Sequence, residues 1–253
     1  MRIFLKTVDE IILLRAASQL ATRALIEVGR HVVPRLALSH LRNKVVNAVM
    51  RTVPTESNSG KEALSSDTEF TFFVNGAYIE PSLEGECMLC EGDWLTVNCW
   101  VCLDGYYSFG AHTFIVGSSQ DDEPLTSTLR DMLRQVVRRA SAGHSIKEMS
   151  RTVYSLHSHD PYVLQKTFGH GVGRNRVENP ILRMNPGVND TVLLKEGMCL
   201  VIALAFKHGR SHFIKPRLMH ESTFHNPFVP FGTTVVVRPG RPEILTSFET
   251  IVK

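Results

Sequence analysis

The order of helical and strand-like segments repeats along the chain, and this repeat constrains the fold more than any other feature. Two helix-patterned segments are followed by strands, and after Gly117 the same order returns. An amphipathic helix pair must bury its apolar stripe against something. A chain that does so twice over intervening strands builds an α+β structure from two similar units. In the first unit, Thr7-Val8-Asp9-Glu10 is a capping box, with the Thr7 hydroxyl accepting one free N–H and Glu10 reaching back to another. Ile11, Leu14, Leu25 and Val28 then fall at helical spacing, with Arg15 and Arg23 available for the wet side. A second helix is expected from Ser39 to about Met50. Phe70 to Ile79, broken by Asn75-Gly76, reads as strand and tight turn, and Trp94–Val101 and Tyr106–Val116 read as a hairpin across Asp104-Gly105.

The second unit opens with a helix from Pro124 to about Ser141, then one capped by Ser145 and Glu148 and running to about Leu156. Strands are expected at Met198–Phe206, Thr233–Arg238 and Ile244–Thr246, with a loop through Asn179-Pro180 and Pro186-Gly187. The similarity is of element order, not of residue identity. The expectation is a single domain whose halves cover about 1–117 and 122–253.

A chain of 253 residues can bury a full core, and 43% hydrophobic with 21% charged residues is ordinary globular composition. A net charge of +3 is too small to argue for nucleic acid or a membrane surface. No apolar run reaches spanning length, so no membrane partner is expected. Met1 to Lys6 soon meets Asp9 and Glu10, unlike an export signal. With five cysteines, an odd number, reduced thiols in a cytoplasmic setting are expected. Arg15, Arg23, Arg30, Arg35, Arg42 and Lys44 outnumber nearby acids, and are expected to be a solvated helix surface rather than a binding patch. Thr52 to Thr68, rich in Ser, Thr, Glu and Gly, reads as loop.

Several constellations carry chemistry. Phe168-Gly169-His170-Gly171-Val172-Gly173 surrounds one histidine with three glycines, where backbone can bend sharply and another group can come close. Cys87-x-x-Cys90 and Cys99-x-x-Cys102 have the outline of a Cys₄ zinc site. The gap between the pairs is short, however, and strand positions three apart point to opposite faces, so packed thiols are favoured. His208, His212, His220 and His225 match no standard ligand spacing and are expected to be exposed or packed.

The segments Lys6-Thr7 through Leu14, Asp104-Gly105-Tyr106, Thr113 to Gly117, Gly169 to Gly173, Lys195-Glu196-Gly197-Met198 and Glu243 to Thr246 together resemble methionine aminopeptidase of the type I, bacterial-like kind. They occur in that family's order over almost the whole chain. The resemblance implies the pita-bread fold, two α+β halves around a central cleft. It also implies two divalent metals that share an activated water, held by two Asp, one His and two Glu. At the matching positions this chain has Asn98, Phe109, His170, Ala203 and Gly232. One imidazole and one neutral amide will not hold two dications, so no metal cofactor is expected. The family's His ahead of the hairpin falls on Glu80, and its second catalytic His falls on Val177. The segment that shapes its methionine pocket corresponds to the loop from Thr55 to Thr68.

The function expected is therefore that of a methionine-aminopeptidase-like protein without metal-dependent peptidase activity, keeping the scaffold for binding. Relatives of this kind imply a protein partner or the ribosome, with nucleic acid met only through the latter. One alternative is a metal-independent enzyme using Glu80 and His170, joined by His112, if burial raises the carboxyl pKa. The least favoured is a divergent metalloaminopeptidase removing N-terminal methionine.

Overall fold

The computed structural model describes residues 2–53, 64, 66–117, 124–157, 163–164, 167–184, 192–207 and 228–247. The four histidines from His208 to His225 and most of the Thr55–Thr68 loop lie outside the described residues.

Helix α1, Val8–His31, starts on the expected capping box, with Glu10 N–H donating to Thr7 Oγ1 and Thr7 N–H to Glu10 Oε2 at 2.9 Å. Helix α2, Leu38–Thr52, has no side-chain cap. Its first free N–H groups are satisfied from elsewhere in the fold, Leu38 N–H donating to Cys87 O and Ser39 N–H to Glu84 O. Arg42 fastens the same segment by a paired contact to Glu84 and by donating to Phe70 O.

Strands β1, Glu69–Val74, and β2, Ala77–Ile79, make a hairpin, as do β3, Trp94–Leu103, and β4, Tyr106–Ile115. The second turns on Asp104 and Gly105, with φ of 49° and 77°. Positive φ at both central residues is what a two-residue hairpin with native strand twist requires. After β4 come helices α3, Pro124–Arg138, and α4, Ile146–His157, the latter opened by the Ser145–Glu148 capping box. Then follow β5, Val163–Leu164; β6, Thr167–Gly171; β7, Glu178–Arg183; β8, Cys199–Lys207; β9, Phe228–Val236; and β10, Glu243–Ile244.

Among the described residues all ten strands belong to one sheet, in the order β2-β1-β3-β4-β9-β8-β6-β7, with β10 beside β9 and β5 beside β8. The strands before and after Gly117 meet where β4 pairs β9 at Ala111 and Gly232. Helices cover one face: Leu25, Leu41, Val97, Phe114, Leu133, Met149, Ile202 and Phe231 share one buried cluster. Burial of this kind stabilises by about 25 cal/mol per Å² of apolar surface. Among the described residues no helix is long and apolar enough to cross a membrane.

Two local expectations need correction. The glycine–histidine stretch is not a sharp bend; Thr167–Gly171 is itself a strand, paired with β7 and β8. The close approach expected there is present, since a Cβ on Gly169 would collide with Val201 O and one on Gly171 with Asn179 O. Asn179-Pro180, expected in a loop, lies in β7 with a cis peptide bond. Proline lacks the donor a central strand needs, and β7 tolerates it because it ends the sheet.

The basic helix surface is largely paired. Arg15 meets Glu243 at 2.6 Å, Arg23 and Arg30 both meet Glu27, and Arg42 meets Glu84. A second pairing ties the N-terminal segment to β7: Lys6 Nζ and Glu178 Oε2 are 2.6 Å apart with side chains only 5% exposed.

Candidate functional site

The face of the sheet away from the helices carries the positions singled out by sequence. Because strand residues alternate between faces, a row of matched positions across paired strands points the same way. Asn98 of β3 pairs with Ala111 of β4, Ala111 with Gly232 of β9, and Gly232 with Ala203 of β8. His170 of β6 pairs with Val201, two residues before Ala203.

Phe109 is the cross-strand partner of Trp100, their ring centroids 4.8 Å apart. Its ring lies over Gly232: a Cβ built there would be 2.6 Å from Phe109 Cε1 and 3.1 Å from Ala203 Cβ. Trp100 in turn stacks on the His170 imidazole, centroids 6.1 Å apart and planes 9° from parallel. The five positions Asn98, Phe109, His170, Ala203 and Gly232 therefore gather around one aromatic core. Phe109, Ala111, Val172 and Val201 belong to one apolar cluster, which also takes in Ile11 and Leu14 from the start of α1 and is bordered by Trp100 and Ala203.

His170 Nδ1 lies 2.8 Å from Gly171 O. A carbonyl only accepts, so Nδ1 carries the proton and Nε2 keeps its lone pair when the ring is neutral. Burial lowers the His170 pKa below its ordinary value, opposed in part by that backbone hydrogen bond, which favours the charged ring. Asn98 Oδ1 is buried without a hydrogen-bond partner among the described residues.

Arg176, on the segment between β6 and β7, lies over two rings that border this core. Its guanidinium lies 5.7 Å from the Trp100 ring and 5.8 Å from Tyr107, with Nη1 donating to Glu69 Oε2 at 2.7 Å and Nη2 to Asp67 O. Tyr107 OH donates to Asp67 Oδ2 at 2.6 Å, a bond that together with burial raises the phenol pKa. Arg176, Trp100 and Tyr107 were not legible as site residues from sequence. The clue was an aromatic pair on the hairpin, Trp100 and Tyr107, with an arginine just after the glycine–histidine stretch.

Two expected partners of His170 are not brought to it. Glu80 is exposed at the start of the 3₁₀ turn Pro81–Leu83, beyond edge strand β2, and no described contact joins it to His170. The burial that proton transfer by this pair required is thus missing. His112 is fully buried on the helix-covered face, between the rings of Phe114 and Phe231 at 4.6 Å each. Three residues from Phe109 on one strand is an odd step, which reverses the face. Val177 is exposed. The same parity separates Cys99, in the main core, from Cys102. Burial pushes the Cys87 thiol up to about 11, and among the described residues no group of three or more His, Cys, Asp or Glu is placed to hold a metal ion.

The family model described as metallopeptidase family M24 matches residues 12–239. The chain belongs to metallopeptidase family M24. This M24 chain is 29% identical over 220 residues to a methionine aminopeptidase of Helicobacter pylori, covering 83% of itself and 85% of that protein. It is 25% identical to one of Borreliella burgdorferi, covering 96% and 97%. Its fold matches the crystal structure of methionine aminopeptidase from Thermotoga maritima with a TM-score of 0.77, at 21% identity and covering 97% and 100% of the two chains. The architecture is thus the α+β pita-bread fold of the family, and the protein is methionine-aminopeptidase-like.

Proposed function

We propose that this M24 chain acts as a binding protein on the family scaffold and does not carry out metal-dependent removal of N-terminal methionine. The observation that supports this reading is Phe109 lying over Gly232 and Ala203 in the centre of the row. At the five positions where the resemblance calls for metal ligands, the donor set is one imidazole and one carboxamide. The rest is a phenyl ring, a methyl and a hydrogen. Two divalent ions in a partly dry cleft need anionic oxygens to offset their charge, and hard cations take several such ligands each. These residues do not fit that pair of ions. What they do provide is an aromatic and apolar floor with a neutral imidazole and an unpaired amide oxygen, closed by Arg176.

The test is direct. Protein purified without chelators should carry no stoichiometric transition metal, and Met-Ala-type peptides should stay intact with cobalt, manganese or iron added. Methionine release that a chelator stops would refute the proposal.

A further inference from the structure

A second concavity lies away from the cleft, between the C-terminal turns of α3 and the turn joining β9 to β10. It is half open to solvent and holds about 550 Å³. Arg134 and Arg138 project from successive turns of α3, and Arg241 comes from the opposing turn. Among the described residues no carboxylate lines it. Arg134 is paired with the exposed Asp131 at 2.7 Å, whereas Arg138 and Arg241 have no carboxylate partner among the described residues. This contrasts with neighbouring Arg238, held by Glu243 and Glu196, and with Arg15 and Arg23 of α1 and Arg42 of α2, each paired with a glutamate. The turn that presents Arg241 is held in shape: Gly240 has φ of 74°, and Arg241 N–H donates to Pro239 O at 2.9 Å. The apolar part of the lining is Val137, Pro242 and Ile244, the last 41% exposed.

We propose that this pocket binds a phosphomonoester that carries an apolar or aromatic group. Guanidinium forks match phosphate oxygens bidentately, and convergent arginines recognise a dianion better than a scattered basic face does. The apolar lining takes the organic part of the ligand, and a single half-open pocket suits a terminal phosphate better than a running polynucleotide backbone. The site is independent of the cleft and of what the cleft binds.

The probe is phenyl phosphate, titrated calorimetrically into the full chain at low ionic strength, with inorganic phosphate and phenol as comparisons. Phenyl phosphate should bind saturably at one site, inorganic phosphate more weakly, and phenol not at all. Arg138→Gln and Arg241→Gln should each weaken binding about tenfold, the size of one lost charge-assisted contact. Both side chains are exposed, so thermal unfolding of the variants should match the parent and exclude misfolding. Absence of saturable binding, or unchanged affinity in both variants, would overturn the proposal. So would short single-stranded RNA displacing phenyl phosphate equally with and without a 5′-phosphate, which would make the pocket a backbone site.

Discussion

Phe109 Cε1 lies 2.6 Å from the point that a β-carbon on Gly232 would occupy, although 123 positions separate the two residues (232 − 109). The ring occupies that space only because Gly232 has no side chain. Gly232→Ala should therefore overpack the cleft floor and destabilise the protein by about 1–3 kcal/mol in urea unfolding. Phe109 cannot simply swing aside, because Trp100 packs against it. Phe109→Leu in the same chain should recover part of the loss, and strictly additive costs would show that the two sites do not touch.

The Lys6–Glu178 pair is buried on both sides. Lys6→Met should leave a carboxylate without its countercharge and cost about 3–5 kcal/mol, while Lys6→Met with Glu178→Leu should be markedly less harmful. Chemical denaturation of the three proteins decides this. Equal destabilisation of single and double variants would mean the pair is not what holds the N-terminal segment down.

The depressed pKa of His170 carries a pH signature. Because burial disfavours the charged ring, the unfolded chain takes up this proton at higher pH than the folded one. The stability contribution is complete above the ordinary value of 6.5 and is lost as pH falls from there through the folded pKa. An NMR titration of the His170 ring should give a midpoint below 6.5. His170→Phe should flatten the stability profile on the acid side of that value, and an unchanged profile would remove His170 as its source.

Arg176 covers Trp100 and bridges to Glu69 and Asp67. In a Trp94→Phe background, where Trp100 is the single reporter, Arg176→Ala should raise acrylamide quenching of its fluorescence severalfold. The loss of stability should be small, about 1 kcal/mol, as expected for a partly exposed ion pair with cation–π contacts. Quenching that does not change would show that Arg176 does not close the cleft.

Much of the architecture was legible in residue order. The two capping boxes, the Asp104-Gly105 turn and the alternating helix and strand periods depend on residues within four positions of one another, and they came out as read, within a few residues at their ends. Pro180 misled because a proline speaks against a strand only when its missing donor is needed, and whether β7 is an edge is not a local property. The glycines around His170 read as a bend for a similar reason: what they admit is another strand's backbone, from residues 179 and 201.

By itself the sequence determined the elements, their order and the residue types on offer at the cleft: an amide, a phenyl ring, an imidazole, a methyl and a hydrogen. The tertiary structure decided which of them meet. Strand parity turned His112 away from the cleft, an edge position left Glu80 in water, and pairing across distant strands brought Trp100 onto His170 and Phe109 onto Gly232. The division follows from the range of the forces involved. Propensity, capping and turn strain act over a few bonds, whereas packing is settled only when chain segments far apart in sequence close on one another.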